Sequence, residues 1–136
     1  MVREIMRDEG FLSLPSVEAS MADSAVVNDL VDTLKANLSR CVGMAANMIG
    51  VRKRIIAVAA GPLVFPMINP VITKRKGEYA ANEGCLSLCG LRKCTRYKEI
   101  EVEYLDSFWN RRKESFSGFT AEIIQHEVDH LEGIVI

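Results

Sequence analysis

The apolar positions of this chain change their spacing along its length, and each change predicts an element. Val27, Leu30, Val31, Leu34 and Leu38 recur at helical intervals, with Asp23 or Ser24 placed to cap the start. Gly43 breaks that pattern just beyond Arg40, where the helix should end. Residues 54–59, Arg-Ile-Ile-Ala-Val-Ala, form a nearly unbroken apolar run that predicts a buried strand, and Gly61-Pro62 predicts the turn after it. Residues 67–70 and 71–74 suggest further extended structure. Polar and apolar residues alternate over 98–105, as in a strand with one wet face. Residues 107–110 then turn the chain back on 111–116. A last helix is predicted over 119–131, with Ser117 as its cap and Gly133 closing it. Residues 134–136, Ile-Val-Ile, read as a terminal extended segment or strand. The sum is an α+β chain: a long N-terminal helix, antiparallel strands and a C-terminal helix.

Composition keeps that picture and narrows the partners. With 136 residues, 49% hydrophobic and 26% charged, the chain has the size and balance of one globular domain, residues 1–136. A formal charge of -1 gives no electrostatic case for nucleic acid or an anionic membrane. No basic N-region precedes an apolar run, and no apolar stretch approaches the roughly 20 residues of a membrane span. The four cysteines, Cys41, Cys85, Cys89 and Cys94, are therefore expected as thiols or a metal ligand rather than a disulfide framework. The expected location is the cytoplasm.

The last helix carries the chemistry. The chain's only two histidines, His126 and His130, stand four apart in the run His126-Glu127-Val128-Asp129-His130. One helical turn brings positions i and i+4 onto a common face, so both imidazoles can bind one ion. Glu127 lies beside them, where it can act on water as acid or base. Two hydrogen-bonded core histidines are the structural alternative, but they leave Glu127 without a role. A catalytic site of this type takes three protein ligands and leaves one position for water. No third histidine exists, so the third ligand is a Cys, Asp or Glu. Cys85 follows Gly84, which lets the backbone approach an ion closely. By spacing alone Cys89 and Cys94 are rivals, with burial as small hydrophobes their plainer role. A structural metal site built on Cys85, Cys89 and Cys94 is a further reading. So is a helix-borne zinc protease, for which only Glu132 could ligate downstream.

Three segments together resemble one family, the peptide deformylases. Its motifs are Gly-x-Gly-φ-Ala-Ala-x-Gln (φ apolar), Glu-Gly-Cys-Leu-Ser and Gln-His-Glu-x-Asp-His. The second is complete as Glu83-Gly84-Cys85-Leu86-Ser87 and the third as Gln125-His126-Glu127-Val128-Asp129-His130. The first is partial, as Cys41-Val42-Gly43-Met44-Ala45-Ala46-Asn47-Met48. Order and spacing match over nearly the whole chain. The resemblance implies the α+β deformylase-like fold, with antiparallel strands around a C-terminal metal-binding helix. It implies Cys85, His126 and His130 as ligands of one divalent ion, Fe²⁺ expected and Zn²⁺ or Ni²⁺ tolerated. The implied reaction removes the N-formyl group from formyl-methionyl N-termini of nascent chains, with transient ribosome association as a further partner. Glu127 is then the proton carrier and the Leu86 N–H the oxyanion donor. Gly43 presents its backbone to the peptide, and Val42 and Ile123 line the methionine pocket. Gln125 and Asp129 orient the ligand helix, and Glu83 pairs with Arg96.

The first motif departs from the family where it bears on the chemistry. Its terminal glutamine donates to the formyl oxygen, and here that position is Met48, which has no N–H to give. Losing one oxyanion donor typically costs about 10²–10³ in rate, or about 3–4 kcal/mol. Asn47 next to it is the candidate substitute, and Cys41 in place of glycine is expected to narrow the peptide groove. The alternative reading is an impaired deformylase-like paralogue that binds metal and peptide N-termini without turnover.

Overall fold

The computed structural model of the chain describes residues 1–134 and, for Cys89, the backbone alone. A short helix α1 (Glu9–Leu12) and a 3₁₀ turn (Met21–Asp23) lead into helix α2 (Ser24–Ala36). Five strands follow: β1 (Gly43–Ala45), β2 (Ile55–Ala60), β3 (Leu63–Cys85), β4 (Leu88–Leu105) and β5 (Arg111–Ser117). Helix α3 (Gly118–Leu131) completes the order. The strands form one antiparallel sheet in sequence order, β1-β2-β3-β4-β5. Every connection is thus a short reversal between neighbours, as adjacent antiparallel strands allow.

Helix α2 buries Val27, Leu30 and Leu34 as their spacing predicts, and packs on β2 and β3. It ends at Ala36, earlier than expected, because a series of tight turns takes up 37–40; Leu38 is left 45% exposed. Asp23 holds the cap position without bonding the helix, because its carboxylate accepts the Ser20 N–H (2.9 Å) instead. Ser117 likewise precedes α3 in extended conformation but makes no side-chain cap bond.

The predicted strand at 54–59 is β2, and Ile55, Ile56, Ala57 and Val58 are fully buried. The extended segments at 67–74 belong to a single 23-residue strand, β3. It is bent rather than broken at Asn69-Pro70, where the register with β4 shifts. Asn69 adopts φ 51°, and its amide brackets Ala19 by accepting the Ala19 N–H (2.8 Å) and donating to the Ala19 carbonyl (3.0 Å). A left-handed asparagine at a bulge is a local device for turning a strand. The alternation at 98–105 holds, with Ile100, Val102 and Tyr104 facing inward from β4. The expected terminal strand lies, except for Ile134, outside the described residues.

Helix α3 is the centre of the arrangement. It packs against β1, β2 and β4 and buries nine of its 14 residues, so its sequence shows no single apolar stripe. Gly133 ends it at φ 78°, and a Cβ there would collide with the Ser13 backbone. Ser16 N–H donates to the Leu131 carbonyl (2.8 Å), so the N-terminal arm ties off the helix. Ile124 is fully buried on α3 and is not one of the candidate ligands. Ile124→Ala should cost about 2–5 kcal/mol of unfolding free energy. A urea titration of parent and variant measures it.

Candidate metal centre

Cys85 is the last residue of β3, and β4 begins at its partner Leu88, so the turn between them is only Leu86-Ser87. That tight hairpin fixes where the thiol points. The ligand atoms of Cys85, His126 and His130 all lie within 4.8 Å of one another. The two Nε2 atoms approach to 3.1 Å, so the imidazoles converge edge to edge on one point. Among the described residues no other group of three metal-ligating side chains forms. Cys94 sits instead on β4 with its thiol against the Ala81 carbonyl (3.7 Å), and Cys41 lies in the adjoining cleft. Glu132 points away to Arg54 (2.8 Å). The Cys89 side chain lies outside the described residues, and among those described neither the three-cysteine site nor the protease arrangement has geometric support.

A chain of ionic hydrogen bonds fixes the ligand helix. His126 Nδ1 is 2.7 Å from Glu83 Oε1, and the Arg96 guanidinium donates to both oxygens of Glu83 (2.7–3.1 Å). The same guanidinium donates to Asp129 on α3 (2.7 Å). The Gln125 side chain accepts the Tyr97 N–H and donates to the Tyr97 carbonyl, both at 2.8 Å, clamping α3 to β4 like one more rung of the sheet. These are the orienting contacts expected of Glu83, Arg96, Gln125 and Asp129.

Electrostatics around the ligands call for a cation. Burial opposes a charge on His126, but Cys85, Glu127 and Glu83 outweigh it and push its pKa up to about 10. His130, buried and beside His126, is pushed down to about 3 and stays neutral. Burial raises Glu127 to about 7 against the pull of His126. The thiol and the two carboxylates thus surround the imidazoles with acidic groups that a positive charge would balance. A divalent ion between one thiolate and two imidazoles provides that positive charge with matching donors. The donor set fits such an ion, and Cys85, His126 and His130 would hold it.

A cleft of about 620 Å³ opens beside the ligands. Cys41, Val42, Gly43, Met48, Leu86, Leu88, Leu91, Phe119, Ile123 and Glu127 all contribute to its lining. Strand β1 forms one wall with a free edge, because among the described residues only β2 pairs with it. The Ala59 N–H donates to the Val42 carbonyl (2.8 Å), so ladder alternation leaves the N–H and C=O of Gly43 on the open side. Gly43 must be glycine here: a Cβ would come within 2.6 Å of Ile123 Cγ2 and 2.9 Å of Glu127 Oε2. Glu127 itself is buried, and its Oε1 has no hydrogen-bond partner among the described residues.

The sequence-predicted residues Val42, Gly43, Cys85, Leu86, Ile123, His126 and Glu127 therefore share one cleft, and His130 joins Cys85 and His126 beside it without lining it. Met48 lies in the same wall, 1% exposed, with its sulfur against the Ala45 N–H (3.4 Å). Asn47 does not substitute for the missing amide, because its side chain turns away to donate to the His130 carbonyl (2.9 Å). Three contacts had no signal in the sequence. Arg7 reaches from the N-terminal arm to the Leu86 carbonyl (3.0 Å), and the Tyr79 hydroxyl donates to Glu122 at the cleft (2.9 Å). Asn47 with His130 is the third. Each joins residues more than 40 positions apart, beyond any local pattern.

The buried pair sets a stability test. The Arg96 and Glu83 side chains are only 4% and 7% exposed. Arg96→Ala leaves the buried Glu83 carboxylate without its guanidinium partner and should cost about 3–5 kcal/mol. Burial alone would raise the Glu83 pKa, but His126 and Arg96 hold it well below its ordinary 4.5. Stability from this group is therefore full above about pH 4.5 and is lost as pH falls through the depressed folded value. Acid unfolding followed by tryptophan fluorescence should show that loss in the parent and a smaller one in Arg96→Ala.

Known proteins place these features in one family. The polypeptide deformylase family model matches residues 13–136. A peptide deformylase of Clostridium beijerinckii is 56% identical over 136 residues, the full length of both chains. The crystal structure of a peptide deformylase from Legionella pneumophila superposes with a TM-score of 0.88 at 29% identity, covering 99% of this chain and 83% of that one. A Met-Ala-Ser-bound class I type b peptide deformylase from Acinetobacter baumannii superposes at 0.86 with 28% identity, covering 99% and 96%. With its antiparallel sheet, its central helix and its Cys-His-His site, the chain belongs to the polypeptide deformylase family.

Proposed function

We propose that this chain removes the N-formyl group from formyl-methionyl N-termini of nascent polypeptides, as one domain spanning residues 1–136. The convergence of Cys85, His126 and His130 beside a buried, partnerless Glu127 oxygen carries the reading. The ion held by those three residues supplies Lewis acidity and lowers the pKa of water. Fe²⁺ is the metal that the deformylase resemblance implies, with Zn²⁺ or Ni²⁺ able to replace it, since the mixed thiolate and imidazole set tolerates all three. Glu127 takes the proton of the attacking water and passes it to the leaving amine, so that formamide and water become formate and a free N-terminus. The Leu86 N–H, on the tight turn after Cys85, donates to the developing oxyanion.

The substrate would lie along β1. Its backbone pairs with the free N–H and C=O of Gly43, adding a short strand to the sheet edge. Its methionine side chain fills the apolar space between Val42 and Ile123. The Met-Ala-Ser peptide in the Acinetobacter baumannii enzyme is of the kind such a groove would take. No helix among the described residues is long and apolar enough to cross a membrane. The proposed setting is the cytoplasm, with transient association at the ribosome where nascent N-termini emerge.

An anaerobic assay of the iron-loaded protein with a formyl-Met peptide should release formate in step with free amine. Glu127→Gln should lose at least about 10²-fold in kcat with the metal content unchanged. No formate from the iron-loaded parent would leave the metal-and-peptide-binding paralogue as the surviving alternative. Met48 occupies the position of a missing amide donor, so Met48→Gln should raise kcat/KM, by up to about 10²–10³ if the donor is fully restored. An unchanged rate would assign the limitation to the groove, where Cys41 is the first candidate.

A further inference from the structure

We infer that Asn47 is a positioning residue for the ligand His130, acting through a buried water that links Asn47 Oδ1 to His130 Nδ1. The inference rests on the metal-site reading above. The family pattern leaves position 47 open, so the resemblance assigns this residue nothing.

Both side chains are fully buried, at 0% exposure. His130 uses Nε2 to face His126, so its proton must sit on Nδ1 when Nε2 serves as a ligand. Ligand histidines normally donate that second N–H to an acceptor, which fixes the ring's tautomer and orientation. Here the Nδ1 of His130 finds no partner among the described residues, whereas that of His126 has Glu83. Asn47 carries the complementary gap. Its Nδ2 is spent on the His130 carbonyl (2.9 Å), and its Oδ1, a strong acceptor, is buried and unpartnered. The amide cannot be turned over, because its oxygen would then face the carbonyl oxygen of His130.

A donor and an acceptor are thus both unsatisfied on two residues already joined by one hydrogen bond, and a buried polar group left so is costly. A single buried water satisfies both, accepting from Nδ1 and donating to Oδ1, and such waters are regular components of protein interiors. The two ligand histidines would then be held by different means: His126 by a charged carboxylate, His130 by a neutral amide through water. Asn47 would grip His130 twice, at its carbonyl and at its ring.

The test pairs crystallography with metal affinity. In a high-resolution crystal structure of the zinc-loaded parent, one water should lie about 2.7–3.2 Å from both Asn47 Oδ1 and His130 Nδ1. In ¹⁵N-labelled zinc protein the His130 Nδ1–H should give a slowly exchanging downfield resonance. Asn47→Leu should abolish that resonance and weaken zinc binding about 10–100-fold in chelator competition. An unchanged zinc affinity and resonance in Asn47→Leu would overturn the inference, as would a parent structure with no bridging water. The crystal structure alone decides if Asn47→Leu does not fold. A parent that takes up no zinc at Cys85, His126 and His130 overturns the metal-site reading as well, so the two failures are distinguishable.

Discussion

The Arg96 guanidinium joins three elements that the backbone alone would leave independent. It lies on β4, grips Glu83 near the end of β3 and reaches Asp129 on α3. Taking a guanidinium and two carboxylates out of water is costly, and only dense mutual hydrogen bonding offsets it. Glu83 spends what remains of its bonding capacity on His126. The geometry of a candidate ligand is thereby coupled to a network that is stable only when fully assembled. The Gln125 clamp on Tyr97 adds a neutral restraint along the same helix-to-strand seam. Rigidity of this kind is what a site needs if its ligands are to be held in place before an ion arrives.

Much of the architecture was legible because it rests on local rules. The spacing of Val27, Leu30 and Leu34, the apolar run of β2 and the alternation through Ile100, Val102 and Tyr104 each report one buried face. The distal half of β3 was not legible. From Arg75 to Asn82 it is exposed or half-exposed throughout, with Gly77 in its midst, so no hydrophobic period marks it as a strand. It is extended because β4 pairs with it across the hairpin, a long-range cause. Helix α3 was recognised by its end signals and histidine spacing rather than by amphipathicity, since it is covered on nearly all sides.

The candidate site divides in the same way. His126, Glu127 and His130 were legible from one helical turn, and Cys85 only by resemblance, because spacing alone left two other cysteines open. Three-dimensional pairing separates Cys85 from Cys94, since Cys85 ends a strand at the ligand helix while Cys94 faces the Ala81 carbonyl; the Cys89 side chain lies outside the described residues. The direction taken by Asn47 could not have been read at all. Neighbouring residues on a 3₁₀ turn point different ways, and only the burial of α3 shows which one meets it.

Both edges of the sheet are exposed to the same hazard, unsatisfied strand backbone that a second molecule could pair with. β5 answers with charge, since Arg111, Arg112, Lys113 and Glu114 crowd its exposed length. β1, Gly-Met-Ala, carries no charge, and it answers with brevity. Three residues long, it passes at once into a 3₁₀ turn that Gly50 ends in the left-handed region. An edge so short offers too few rungs for sheet-to-sheet association between copies, and under the proposed function it need hold only the first residues of a chain end. Selectivity for termini over internal segments would then be a matter of strand length: an edge that stops after three residues, with a helix wall behind it, admits an end and turns away a loop.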